Sequence, residues 1–439
     1  MTDAVRILPC PAVQNSITPP GSKSITNRAI VCAALADGES LLSGVLDSED
    51  TQVMIAAWQQ VGVSMQHDVR SSQLRVVGCA GQPPKPQADL WIGNSGTTIR
   101  FLTAALAACG GRYQLDGVPR MRERPIGDLL RALQQLGCQV TSLNSLRPDC
   151  PPVLVETSGM AGGEATVAGN ISSQYLSGLM LAAPQAKQSV TLRVVGELVS
   201  VPYVEMTSAV MRAFGAEILG AAHGPLHITS GVQNPSQKYR GSAYRIEPDA
   251  SAASYFWGAA AITGGTARVE GLSRESLQGD VQFCEVLRQM GCGVEYAADS
   301  IVVTGGSLSG VEVDMAHISD TVQTLAAVAL FAQGPTTVRG VAHNRVKETD
   351  RISDLACELR RLGAQVDEFE DGLTIHPPAK ILPAAIETYH DHRMAMSLAL
   401  VGLRAEGVII KEPACTAKTY PGYWEDLQRF CGSTIEWLN

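Results

Sequence analysis

The chain predicts an α/β fold of two similar lobes, each built from three repeats whose most apolar helix is buried beneath a small sheet. Three observations carry this. A glycine among apolar or small residues recurs as Gly62, Gly137, Gly215, Gly291, Gly363 and Gly432, at intervals of 69 to 78 residues in a chain of 439. A polar residue opens an Ala-rich apolar run with nearly the same period. A loop dense in charge follows each run.

Each glycine reads as a helix C-cap in the left-handed region, where a Cβ is costly, and a strand follows, as at residues 139–143 or 365–369. The polar openers are Ser22, Asn94-Ser95, Ser172-Ser173, Asp249, Ser319-Asp320 and His390-Asp391. The runs behind them (29–36, 101–108, 176–183, 252–262, 325–332 and 394–403) are apolar on all sides, which predicts helices buried in a domain with only a polar N-terminus near a surface. The loops at 47–50, 120–124, 197–203, 274–275, 344–351 and 411–420 then lead into amphipathic helices. One unit is therefore helix, strand, loop, helix, strand, strand. Three units close around one core, and the polar stretch 231–238 suits a linker after the third. Residues before Ser22 precede the first complete unit. The expected lobes are 1–20 plus 241–439, and 21–240, with a hinge near 20 and 240.

The composition, 45% hydrophobic and 18% charged, is that of a soluble globular protein, and 34 basic against 43 acidic residues disfavour a general nucleic-acid or anionic-membrane surface. Any anion site must be a local gathering of cations. No apolar segment reaches bilayer length and residues 1–11 lack a signal-peptide pattern, so the expected address is cytoplasmic, with no membrane partner. Eleven cysteines contain no C-x-x-C pair, and the histidine pairs His223 with His227 and His390 with His392 lack a neighbouring ligand at zinc spacing. Buried thiols and no metal are expected.

Several stretches carry chemistry. Residues 20–28, PGSKSITNR, read either as an anion cradle, with small residues at a helix start and Lys23 and Arg28 beside it, or as a plain N-cap with a solvated lysine. Residues 92–98, IGNSGTT, offer glycines and hydroxyls at a helix start, or a tight turn; neither stretch has Walker A spacing. The loop 119–125, PRMRERP, sets three arginines between prolines, suited to bidentate capture of phosphate or carboxylate or simply to solvent. Residues 344–351, NRVKETDR, mix both signs at the equivalent loop of the fifth unit, where a partly desolvated carboxylate could transfer protons. In residues 389–394, YHDHRM, Asp391 and His392 read as cap and orienting groups and Arg393 as an anion ligand. Lys418 adds a cation at the sixth loop.

Taken together, residues 20–28, 93–98, 119–125, 172–174, 320, 345–351, 391–394 and 416–418 resemble the 5-enolpyruvylshikimate-3-phosphate synthase family, in its order and across nearly the whole chain. The resemblance implies two lobes of three βαβαββ units each, an enolpyruvyl transferase-like inside-out α/β barrel that closes on its substrates. It implies transfer of the enolpyruvyl group of phosphoenolpyruvate to the 5-hydroxyl of shikimate 3-phosphate, with release of phosphate by addition and elimination. By the same resemblance Asp320 serves the attacking hydroxyl, Glu348 the methylene carbon, and Lys23 and Lys347 the leaving phosphate. Ser172, Ser173, Gln174 and Ser200 would hold shikimate 3-phosphate, with Ser24, Arg28 and Tyr203 near its ring or carboxylate. Gly96, Arg124, Arg351, Arg393 and Lys418 would surround phosphoenolpyruvate, with Asn94, Thr97 and His392 among the substrate contacts. No cofactor and no nucleic acid are implied, and a monomer is expected. The chain departs from the family at His343-Asn344, where many members carry Asn-Trp, and at Phe101 and Val201. The rivals are transfer to UDP-N-acetylglucosamine, whose enzymes usually show Lys-Asn at Lys23-Ser24 and a loop cysteine absent from 117–127, and a non-catalytic anion-binding repeat protein.

Overall fold

The computed structural model describes residues 4–169, 172–196, 198–222, 224–432 and 435–438; Glu197 of the loop 197–203 and His223 of the histidine pairs lie outside the described residues. The chain forms two compact units, one of Gly21–Ile246 and one of Met1–Pro20 with Glu247–Asn439.

Twelve α-helices alternate between two kinds among the described residues. The buried kind comprises α1 (Lys23–Leu35), α3 (Gly96–Cys109), α5 (Ser173–Ala182), α7 (Ala250–Thr263), α9 (Val322–Ala329) and α11 (His392–Ala399). The second kind comprises α2 (Glu49–Gln60), α4 (Gly127–Gln135), α6 (Val201–Ala213), α8 (Phe283–Gln289), α10 (Ser353–Arg361) and α12 (Tyr423–Cys431). Every residue of α7 from Ala250 to Ile262 is buried, whereas α10 buries only Leu355, Ala356, Glu358 and Leu359 on one face.

Among the described residues the strands form six four-stranded sheets, three in each unit, and each sheet contains one parallel and two antiparallel pairs. Each sheet keeps two free edges, so the described strands close no barrel, and the barrel in the expected description corresponds to open sheets lying over buried helices. The sheets containing Leu41–Ser43 and Val269 take their parallel edge strands from elsewhere in the chain. Ala243–Arg245 pairs with Leu41, Leu42 and Ser43, and Gln14–Ile17 pairs with the strand Thr266–Glu270. Ala4–Ile7 lies between Val408–Lys411 and Ile435–Leu438 in the last sheet. The pairing of Ala243–Arg245 moves the second crossing between units to Ile246, six residues beyond the expected 240. The stretch expected as a linker contains a 3-10 turn, Pro235–Gln237, and belongs to the first unit.

The recurring glycines end the second kind of helix, and all six have positive φ. After α2 the Gly62 amide donates to Gln59 O and the Val63 amide to Trp58 O, the paired bonds of a Schellman motif. The same pair closes α4, α6, α8 and α10. At the other ends, Ser22, Ser95, Ser172, Asp249 and Asp391 cap α1, α3, α5, α7 and α11 through their side chains. The fifth opener differs. Ser319–Thr321 forms a 3-10 turn with no side-chain cap, because His343 and three cations engage the side chains of Ser319 and Asp320.

Candidate functional site

Each unit gathers cations at the N-terminal ends of its buried helices, where backbone N–H groups and the helix dipole already favour anions. In the unit Gly21–Ile246, Lys23 opens α1, and its Nζ lies 3.6 Å from Asp50 Oδ2 at the start of α2. Arg28, one turn further along, is 1% exposed and donates to Ser24 O, Thr207 Oγ1, Ser177 Oγ and Tyr203 O at 2.7–3.2 Å. It also stacks over the rings of Phe101 and Tyr203. These oxygens are neutral, so burial pushes its pKa down to about 10, which still leaves it charged at neutral pH. The guanidinium ties α1 to α5 and α6 while placing an uncompensated positive charge beside Ser24.

The arginine loop divides between the two readings left open by its sequence. Arg120 and Arg122 form exposed ion pairs with Glu123 and Asp116, whereas Arg124 is 4% exposed and donates to Asn94 O at 3.1 Å. Arg100 and Tyr175 enforce the inward turn, because both donate to Pro125 O, at 3.2 and 2.6 Å. Arg100 also donates to Gln174 Oε1 at 2.6 Å and to Gly96 O at 3.3 Å, and Gln174 Nε2 donates to Thr97 Oγ1 at 3.2 Å. Asn94, Gly96, Thr97, Arg124 and Gln174 are thereby joined, and Ser172 and Ser173 start the helix that carries Gln174. Ser200, with φ +57°, directly precedes α6 and its Tyr203.

In the other unit, Asp320 is held by three cations. Its Oδ1 lies 3.1 Å from Lys347 Nζ and 3.3 Å from Arg351 Nη1, and its Oδ2 lies 2.7 Å from Arg393 Nη2. Glu348 Oε2 sits 2.9 Å from Arg351 Nη2, and its Oε1 sits 3.9 Å from Lys418 Nζ. Asp391 caps α11 through the Arg393 amide and pairs with Arg351, while His392 is buried with Nδ1 3.6 Å from Asp391 Oδ1. Burial, reinforced by the neighbouring Arg351, lowers the Lys347 pKa against the pull of Asp320 and Glu348. Burial alone would lower the Arg351 pKa as well, yet Asp391, Glu348 and Asp320 together hold it above its usual value. Beside them, His343 is pushed down to about 3 by burial and by Lys347. It is a neutral imidazole at neutral pH, with Nε2 2.9 Å from Ser319 Oγ, and Asn344 donates to Ser319 O.

Contacts thus join Asn94, Gly96, Thr97, Arg124 and Gln174 in one unit, Ser24, Arg28 and Tyr203 beside them, and Asp320, Lys347, Glu348, Arg351, Arg393 and Lys418 in the other, whereas Ser172, Ser173 and Ser200 are placed by the helices they open. Sequence reasoning passed over Asp50, although the charged loop 47–50 pointed to it, and Arg100, which reads as one more polar interruption of an apolar helix. Three carboxylates and four cations share the second cluster, so a carboxylate can exchange a proton there while its charge stays compensated. Among the described residues, no group of three or more His, Cys, Asp or Glu could hold a metal ion, and no helix is long and apolar enough to cross a membrane.

The family model of EPSP synthase (3-phosphoshikimate 1-carboxyvinyltransferase) matches residues 9–427. A 3-phosphoshikimate 1-carboxyvinyltransferase of Nostoc punctiforme is 47% identical over 413 residues, covering 94% of this chain and 95% of its own length. One from Serratia proteamaculans is 45% identical over 432 residues, covering 98% and 99%. The solved structure of EPSP synthase from Acinetobacter baumannii superposes with a TM-score of 0.80 at 27% identity, covering 99% of both chains. On this evidence of sequence and fold, the chain belongs to the EPSP synthase family of 3-phosphoshikimate 1-carboxyvinyltransferases.

Proposed function

We propose that the protein transfers the enolpyruvyl group of phosphoenolpyruvate to the 5-hydroxyl of shikimate 3-phosphate and releases phosphate. The observation that carries the reading is the pair Asp320 and Glu348, two carboxylates set among Lys347, Arg351, Arg393 and Lys418. A protein that only binds anions gains nothing from carboxylates competing for its cations. A transferase needs them, because one proton must leave the attacking hydroxyl and another must reach the methylene carbon and later depart from it.

Asp320 is assigned to the hydroxyl and Glu348 to the methylene carbon. Addition forms a carbon–oxygen bond to C2 of phosphoenolpyruvate as C3 gains a proton. Elimination then breaks the C2–phosphate bond as C3 loses a proton, restoring the double bond. Lys23 and Lys347 balance charge on the departing phosphate, and a lowered pKa suits Lys347 to exchanging a proton. Arg124, Arg351, Arg393 and Lys418, with Gly96, are assigned to phosphoenolpyruvate. Ser172, Ser173, Gln174, Ser200, Ser24, Arg28 and Tyr203 are assigned to shikimate 3-phosphate, with Asn94, Thr97 and His392 as further contacts. Preorganised cations in a desolvated setting supply most of the transition-state stabilisation. The same reading carries a monomer working in the cytoplasm, which sedimentation and cell fractionation test.

Phosphate release from phosphoenolpyruvate, measured with shikimate 3-phosphate and separately with UDP-N-acetylglucosamine, tests the proposal. Release with the first acceptor alone is expected. Release only with the second, or with neither, overturns it.

A further inference from the structure

The turn that delivers Asp391 and Arg393 has an unusual backbone for its sequence. The Asp391 amide donates to Thr388 O at 2.8 Å, closing a four-residue turn, and both central residues, Tyr389 and His390, have φ +54°. Two positive φ values in succession define the mirror-image β-turn, which ordinarily needs Asn or Gly. Tyrosine and histidine are costly there and stay only where the surroundings impose the conformation. Among the described non-glycine residues six have positive φ, and a third member of this neighbourhood, Glu412, is one of them. Glu412 opens the 3-10 segment Pro413–Lys418, and its carboxylate lies 3.3 Å from His390 Nδ1.

The imposing group is a buried carboxylate outside the cation cluster. Glu358, on α10, is fully buried. It accepts from Tyr389 Oη at 2.8 Å and from the Glu387 amide at 3.0 Å, with Arg361 Nε 3.6 Å away. It therefore grips the turn just before it and at its first strained residue.

We propose that Glu358 is a positioning residue: through Tyr389 Oη and the Glu387 amide it holds the 388–391 turn in its mirror-image form and so sets Arg393 for the anionic substrate. Helix α10 follows directly on the loop bearing Lys347, Glu348 and Arg351, so one rigid element registers both halves of the cation cluster. The inference rests on the assignment of Arg393 to phosphoenolpyruvate made above.

Steady-state kinetics of Tyr389→Phe, which deletes one hydroxyl, and of Glu358→Gln test it, with KM determined for each substrate. A displaced Arg393 raises the KM for phosphoenolpyruvate about tenfold, the scale of one lost charge-assisted hydrogen bond, and leaves that for shikimate 3-phosphate within about twofold. A purely structural role lowers the active fraction and hence kcat, leaving both KM values alone. Adding His390→Gly to Tyr389→Phe removes a Cβ that opposes the turn and restores most of the KM. An unchanged KM for phosphoenolpyruvate in Tyr389→Phe, or no recovery in the double variant, overturns the inference. If Glu358→Gln does not fold, the tyrosine variants decide alone. Inactivity of the unaltered protein would instead count against the functional reading.

Discussion

Arg351 and Asp391 meet through two parallel hydrogen bonds, Nε to Oδ2 at 2.7 Å and Nη2 to Oδ1 at 3.1 Å, with the guanidinium 2% exposed and the carboxylate sealed. Asp391 also accepts from the Arg393 amide, so one carboxylate anchors the loop arginine and caps α11. Asp391→Ala takes the bidentate partner from a buried cation, which keeps Glu348 and Asp320, and leaves a helix start uncapped. A loss of about 2–4 kcal/mol in unfolding free energy is expected in urea titration. A loss below about 1 kcal/mol would show that the pair adds little to stability.

Glu348 faces two cations, Arg351 and Lys418. Glu348→Gln should lower kcat by about two to four orders of magnitude while changing each KM far less, because the amide fills the same space but cannot take a proton. Turnover close to that of the unaltered protein would remove Glu348 from the proton path.

A Cβ on Gly96 would stand 2.5 Å from Arg124 Nη2 and 2.7 Å from Arg100 Nη1. Both are tips of flexible side chains, so Gly96→Ala should fold with nearly unchanged stability while Arg124 moves. The expected result is a KM for phosphoenolpyruvate raised by about an order of magnitude with little change for shikimate 3-phosphate. Equal effects on both substrates would mean that the helix start, not Arg124, has shifted.

His343 links stability to acid. Its pKa, about 3 in the folded chain, lies below the ordinary 6.5 because burial and Lys347 oppose the charged form. Between those values the unfolded chain binds the proton and the folded chain does not. The His343 contribution is therefore complete above pH 6.5 and is lost as pH falls toward 3, by at most about 1.4 kcal/mol per pH unit. Unfolding free energies between pH 4 and 7 should show a shallower slope in His343→Gln. Identical slopes would assign the acid sensitivity to other groups.

Local rules made much of this architecture legible. The Schellman glycines and the caps at Ser22, Ser95, Ser172, Asp249 and Asp391 depend on neighbours a few residues away, and periodicity exposes such features. The position of the crossing was less legible, because Ala243–Arg245 is three residues whose pairing with Leu41–Ser43 spans some two hundred positions. Within the arginine loop, sequence could not tell Arg124 from Arg120 and Arg122. Their difference comes from Arg100 and Tyr175 reaching Pro125 O across the fold. Glu358 was illegible for the same reason: on α10 it occupies a position like any amphipathic glutamate, and its partners Glu387 and Tyr389 lie 29 and 31 residues on.

The pairing of Ala4–Ile7 with both Val408–Lys411 and Ile435–Leu438 sets an order of events during synthesis. The unit Gly21–Ile246 is one continuous segment, and all its strands have left the ribosome once Ile246 emerges. The other unit pairs Ala4–Ile7 with strands some four hundred residues later, so its final sheet cannot form until Ile435–Leu438 has been made. Contacts of such long sequence separation are entropically slow to close, and Ala4–Ile7 must wait with unpaired strand edges until its partners are made. The continuous half is therefore complete for folding before the split half can close its last sheet.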